Sequence, residues 1–192
     1  MRIHLIRHAV PVVDRTVPAS EWVLAGDQPG LTRLARGLGR VTERGWWLSS
    51  PEPKARATAS ALTGRQVATD PALVEMRRGR ADLTGAQFVA AVTRALAHPG
   101  EPALEGWETA ASVADRVCAA AVTACVRAHA GAATDLVLVG HGTAWTVLIA
   151  GLTGTDPDIA AWRRLQLPDH CVLTGDAGGA WQLTSGWLAA RS

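Results

Sequence analysis

Two short segments of this chain place a histidine in the same local setting. Arg7-His8-Ala9 follows an apolar run containing Ile3, Leu5 and Ile6, and Gly140-His141-Gly142 follows Val137-Leu138-Val139. In both, the imidazole stands where the apolar run ends, and a small residue comes next. Small neighbours let a ligand approach the backbone closely. Arg7 adds a fixed positive charge beside the first histidine, and the residues from Thr143 onward read as a helix whose N-terminal N–H groups favour an anion. The chemistry to expect is that of an anion-binding crevice lined by imidazoles. A single histidine at a strand end is ordinary; two in matching settings, one beside an arginine, point to a site. His4 and His8 are also four apart, but on a strand that separation exceeds ~10 Å, too far for one metal ion. A metal site is therefore the weaker expectation.

Those histidines need strands to carry them. Residues 2–6 and 136–139 read as strands, the second a continuous apolar run of the kind found in a central parallel strand covered on both faces. Ligands of open α/β sheets bind at the carboxyl ends of the strands, so two neighbouring strands would bring His8 and His141 together. The rest of the chain supplies the layers around them. A polar loop over 11–29 precedes an amphipathic helix over 31–41, with Leu31, Leu34, Ala35, Leu38 and Val41 on one stripe. A strand over 46–49 runs into Ser50-Pro51, which reads as the start of a helix reaching about residue 62 and ended by Gly64. Residues 66–69 form a weak strand. Thr84 and Gln87 fit a capping box before a helix stopped at Pro99-Gly100, and a long helix covers 109–130. Short strands near 171–173 and 181–183 close the chain. This alternation predicts an α/β fold, a three-layer α/β/α sandwich with a mostly parallel central sheet.

The 192 residues fit one domain over 1–192. Hydrophobic residues make up 48% and charged residues 19%, enough apolar material for a sizeable core and too little charge for a disordered chain. The net charge of +2 comes with scattered arginines, so neither a nucleic acid nor a membrane is expected as partner, while a small anionic one is. Cys118, Cys125 and Cys171 form no CxxC and no disulfide framework, which favours a reducing, cytoplasmic setting. Charge interrupts the apolar residues at the N-terminus before a signal-peptide core can form. Eight Trp beside one Phe and no Tyr predict that Trp fills the large aromatic core positions. An exposed Trp cluster would instead mark a homodimer face.

Taken in order, Arg7-His8-Ala9, Ser49-Ser50-Pro51 leading to Ala55 and Thr58-Ala59, Leu73-Val74-Glu75, and Val139-Gly140-His141-Gly142 resemble the histidine phosphatase superfamily, which includes the phosphoglycerate mutases. Gly106-Trp107-Glu108-Thr109 with Arg116 resembles a weaker block of the same family. The resemblance implies a phosphatase that needs no cofactor or metal and acts on a small phosphorylated substrate. It makes His8 the nucleophile that accepts the phosphoryl group, a role suited to a neutral imidazole. Arg7 and His141 would bind the phosphoryl oxygens. Glu75 would give a proton to the leaving alcohol, which requires a carboxyl kept protonated by burial or by a neighbouring carboxylate. Glu108 is the reserve for that role, although its place before the cap expected at Thr109 favours a structural job.

Two positions depart from the family pattern. Ala9 stands where glycine is usual, adding one methyl group. Lys54 stands where the family has a phosphate-pocket arginine, keeping the charge and losing the bidentate fork. Arg77, Arg78 and Arg80 read first as a solvated basic loop, and second as a rim drawing a second anionic group of the substrate. About 65 residues separate Glu75 from His141 and two helices take up most of them, so a small helical cap is expected around 76–108. Trp22 and Trp107 could line the pocket. Mutase-like phosphoryl transfer is the nearest alternative, and Val10-Pro11-Val12-Val13 in place of a polar signature argues for hydrolysis. A phospho-ligand-binding protein with little turnover is the other alternative.

Overall fold

The computed structural model describes residues 1–79, 83–176 and 179–187. Six strands form one sheet in the order β3-β2-β4-β1-β5-β6, where β1 is Arg2–Arg7, β2 Trp46–Ser49, β3 Ala68–Thr69, β4 Asp135–Gly140, β5 Asp169–Thr174 and β6 Gln182–Ser185. β1, β2, β3 and β4 run parallel to one another, and β5 and β6 are antiparallel additions at one side. The mostly parallel sheet expected from the alternation is thus present. β4 is buried along its whole length, as a continuous apolar strand between two helical layers must be.

Alternation along the strands sends side chains to two cores. Ile6, Val137 and Val139 pack with Leu31, Leu34, Ala55 and Ala59 on one face, from α1 (Pro29–Leu38) and α3 (Pro53–Thr63). Ile3, Leu5, Leu136 and Leu138 pack on the other, against α5 (Ala110–Ala130) and α6 (Gly142–Thr153). Burying both faces of a parallel sheet is what makes its strands read as apolar throughout. Trp47, Trp107, Trp145, Trp181 and Trp187 are buried, and Trp46 is the exposed one of the eight, so no exposed Trp cluster marks a dimer face. The indole of Trp145 donates to the Ile6 carbonyl at 2.9 Å. A Cβ at Gly140 would lie 2.6 Å from that ring, so the residue before His141 has to be glycine.

Several boundaries differ from the sequence reading. The first amphipathic stripe is broken at Gly39, which adopts φ +51°, so Val41 begins a separate short helix, α2 (Val41–Arg44). The helix after β2 starts later than Ser50-Pro51: Glu52 is its N-cap residue and Pro53 occupies the first turn. The Ser50 hydroxyl accepts the Glu52 N–H at 3.3 Å and also faces the site. α4 (Gly85–Ala97) carries the expected capping box between Thr84 and Gln87, and Thr109 caps α5. α7 (Ile159–Arg164) was not expected; it spans only six residues, too few to display a helical period. No helix among the described residues is long and apolar enough to cross a membrane.

Candidate active site

β1 and β4 are parallel neighbours, with Arg7 opposite Gly140. Their carboxyl ends therefore deliver His8 and His141 to one crevice, with ring centroids 5.4 Å apart in an edge-on arrangement. The His8 N–H donates to the Gly140 carbonyl at 2.9 Å. The Ala9 N–H donates to the Thr58 hydroxyl at 3.0 Å, and that hydroxyl donates to the Lys54 carbonyl at 2.8 Å. α3 thus fixes the Arg-His-Ala turn through one threonine.

The tautomer of His8 follows from its partner. Nδ1 lies 2.8 Å from the Ala9 carbonyl oxygen, which only accepts, so Nδ1 carries the proton and Nε2 keeps its lone pair. Burial pushes the His8 pKa down to about 4, with Lys54 and Arg7 adding to the effect and the Ala9 carbonyl and Glu75 opposing it. His141 is buried and is held neutral for the same reason, with His8, Lys54, Arg78 and Arg7 acting alongside. Its Nε2 lies 2.9 Å from the Ser50 hydroxyl and 3.2 Å from Glu52 Oε1.

Three cations surround the histidines. Arg7 donates from Nη1 to the Leu165 and Gln166 carbonyls at 3.0 and 3.3 Å. Its Nε packs against Gly142, where a Cβ would lie 3.2 Å away. Lys54 is buried and donates to the Ala19 carbonyl at 2.6 Å and to Glu52 Oε2 at 2.5 Å. Arg78 donates to the Thr143 hydroxyl at 3.2 Å and approaches Glu75 Oε2 at 3.6 Å. Its guanidinium stands over the Phe88 and Trp107 rings, 4.7 and 5.4 Å from their centroids. Arg7 Nε, Arg78 Nε and His141 Nδ1 are buried with no hydrogen-bond partner among the described residues, a concentration of unused polar atoms around one crevice.

Glu75 closes the crevice on the side of α6. Its carboxylate accepts from the Thr143 and Ala144 N–H groups at 3.3 and 3.0 Å and from the Met76 N–H at 2.9 Å. Glu75 is half-buried, with Glu52 beside it and backbone donors on several sides. The carboxyl that burial does push up belongs to Glu52, against the opposing influence of Lys54. Glu108 is held structurally. Arg116 reaches its two oxygens with Nε and Nη2 at 2.8 Å each. The same guanidinium donates to the carbonyls of Ala72, Val74 and Glu75 at 2.6, 2.8 and 3.1 Å. Burial works against the Glu108 charge, yet Arg116 and the Arg77 N–H lower its pKa overall. The pair is a clamp on the backbone that carries Glu75.

The arginine cluster divides. Arg77 is exposed, Arg78 is built into the site, and Arg80 lies outside the described residues. Reading all three as a solvated loop is thus corrected for Arg78, because Phe88 and Trp107 come from distant positions to cradle it. Glu52 was missed altogether; its only local signal is an acid between two prolines, two residues before Lys54. Trp107 lies beneath Arg78, whereas the Trp22 indole donates to the Asp14 carbonyl within the loop, at 2.7 Å. Val10, Val12 and Val13 follow His8 as an exposed apolar rim. His4 is buried away from the crevice, 3.0 Å from Asp135 and 3.1 Å from His170.

Acidification reports the buried histidines. The folded-state pKa of His8 lies below the 6.5 of an ordinary histidine, so the unfolded chain binds the proton first and stability falls with pH. The loss runs from about pH 6.5 down to about 4, with His4 and His141 acting in the same sense and Glu52 in the opposite one. Urea midpoints of the wild type are expected to drop across this window. His8→Ala should lose less than the wild type over the same interval, by up to about 3 kcal/mol. Equal losses in both proteins would refute the assignment of a depressed His8.

Comparison with known proteins bears on the fold and the family. No curated protein sequence matches the chain closely enough to count as a relative. Among solved structures, a mycobacterial glucosyl-3-phosphoglycerate phosphatase superposes with TM-score 0.74 at 21% identity, over 96% of this chain and 97% of its own. A phosphoserine phosphatase from Entamoeba histolytica gives TM-score 0.75 at 18% identity, covering 98% and 97%. A phosphoglycerate mutase from Bacillus anthracis gives 0.71 at 16%, covering 96% and 91%. At these identities the likeness is one of fold. The sequence profile of the histidine phosphatase superfamily (branch 1) matches residues 31–185, a span that includes Lys54, Glu75 and His141. His8 precedes that span and is joined to it through the pairing of β1 with β4. With most of its length inside that profile and its fold shared with phosphatases and a mutase, the chain belongs to the histidine phosphatase superfamily.

Proposed function

We propose that this protein is a metal-independent phosphomonoesterase that works through a phosphohistidine on His8. The observation that carries the reading is the pairing of His8 Nδ1 with the Ala9 carbonyl, which leaves a neutral Nε2 lone pair facing a crevice of cations. Nε2 attacks phosphorus and the bond to the ester oxygen breaks, with Glu75 giving the departing oxygen a proton. Water then attacks the phosphohistidine, Glu75 takes a proton from it, the P–N bond breaks, and His8 returns to its neutral form with inorganic phosphate released. Arg7, Lys54 and His141 hold the phosphoryl oxygens, where negative charge must be balanced throughout. Arg78 offers a further positive group beside Glu75, suited to a small phosphorylated substrate with a second anionic group.

The segment 76–108, carrying α4, serves as the modest cap of a single domain, although residues 80–82 lie outside the described part. The exposed valines after His8 favour hydrolysis over mutase-like transfer, because a mutase has to retain and reorient a polar intermediate beside its nucleophile. The test is to trap the intermediate. The protein is incubated with a chromogenic phosphomonoester and excess chelator, quenched in alkali, which preserves phosphohistidine, and digested. Phosphate on the peptide containing His8 is expected. A label on another residue, or turnover only with added divalent metal, would overturn the proposal.

A further inference from the structure

The crevice holds a carboxylate on the very donors that an incoming anion needs. Glu52 is 7% exposed. Its Oε2 takes one proton of the Lys54 ammonium, and its Oε1 accepts the Glu75 N–H at 2.9 Å while lying 3.2 Å from His141 Nε2. The Ala19 carbonyl engages a second Lys54 proton, which leaves one of three. The two oxygens of a carboxylate are spaced much like two oxygens of a phosphoryl group, so Glu52 occupies these donors in the manner of a bound anion.

Charge balance sharpens the point. Lys54 already has the Glu52 carboxylate as its counter-charge, and His8 and His141 are neutral. A phosphomonoester dianion arriving on Lys54 therefore brings its charge up against that of Glu52. A proton on Glu52 removes the repulsion. The titratable and charged groups that face Glu52 are Lys54 from α3, His141 from the residue before α6, and Glu75.

We propose that Glu52 is a built-in competitor for the phosphoryl group, so that an arriving anion displaces it from Lys54 and His141 and one proton passes from solvent to the Glu52 carboxylate. This rests on the reading of the crevice as a phosphate site. Burial already disfavours the Glu52 carboxylate, which makes the uptake easy once Lys54 turns away. Lysine at position 54 suits such an exchange. A compact ammonium on a flexible stem can pivot between two acceptors, whereas a planar guanidinium is committed to one fork geometry. Glu52 acts here as a positioning and competing residue, and it makes no bond to the reacting phosphorus.

Sulfate is the probe, since it stays a dianion from about pH 5.5 to 8 and any pH dependence belongs to the protein. In calorimetric titrations of the wild type, sulfate is expected to bind about tenfold more weakly for each unit of pH where about one proton is taken up per anion. The uptake is read from heats in buffers of different ionisation enthalpy. Glu52→Gln should bind sulfate about tenfold more tightly than wild type at about pH 8 and lose most of the proton uptake. Glu52→Ala provides the same comparison if the first variant does not fold, as judged by Tm. An unchanged affinity and slope in the variants would overturn the inference and assign the proton to a histidine. Failure of every protein to bind sulfate or inorganic phosphate would remove the phosphate-site reading itself, and this inference with it.

Discussion

Replacing His8 by alanine is expected to lower kcat on any phosphomonoester by about 10⁴-fold or more. The expectation is large because the proposed route has no second nucleophile. His141 shares the crevice, but its Nε2 is engaged by Ser50 and Glu52, and its ring meets that of His8 edge-on. Binding should survive the substitution, because the proposed holders of the phosphoryl oxygens, Arg7, Lys54 and His141, do not depend on His8. Inorganic phosphate is therefore expected to bind His8→Ala within about a few fold of wild type while turnover disappears. Steady-state rates with excess chelator, alongside equilibrium binding, check both halves. A variant keeping a tenth of the activity would mean that water attacks phosphorus directly and that His8 only binds.

Glu75→Gln separates the two half-reactions. With an alkyl phosphate, the departing alkoxide needs a proton, and kcat should fall by about 10²–10³-fold. A nitrophenyl ester leaves as a stable anion, so its first step should be far less affected. The second step still lacks a base for water. Rapid mixing should then show a burst of nitrophenol close to one per protein molecule, followed by slow turnover, while the alkyl ester shows no burst. The amide of glutamine retains one acceptor for the Ala144 N–H, so the start of α6 stays in place. Equal slowing of both esters without a burst would move the proton transfer to another group, with Glu52 the nearest carboxyl.

The strands and the two histidines were legible in the sequence because their signals are local. An apolar run that stops at a histidine and a small residue says where a strand ends and what stands there, and β1 and β4 need only be neighbours for the site to form. Lys54 was placed by the family resemblance, counting from Pro51 and Thr58 to the position where the family has an arginine. Glu52 and Arg78 were not legible, since each owes its role to partners far along the chain. Glu52 is buried by His141 and the Glu75 backbone, and Arg78 is cradled by Phe88 and Trp107. Solvated and buried charges look alike until such partners arrive. Ser50 was misread for a related reason: an N-cap signature was present, but Pro53 set the helix start two residues later, and the hydroxyl meets His141.

Arg116 has a consequence for how this site tolerates change. Its guanidinium addresses the backbone carbonyls of Ala72, Val74 and Glu75 and is steadied by Glu108. It grips the path of the chain and ignores the side chains along it. Its hold on Glu75 therefore depends on the course of the main chain through residues 72–75. Lysine could not take over the task, because one ammonium cannot span three carbonyls and a carboxylate together. His8 follows a strand paired on both sides, whereas the backbone that carries Glu75 depends on one guanidinium for three of its carbonyls, and a substitution of Arg116 would be felt there first.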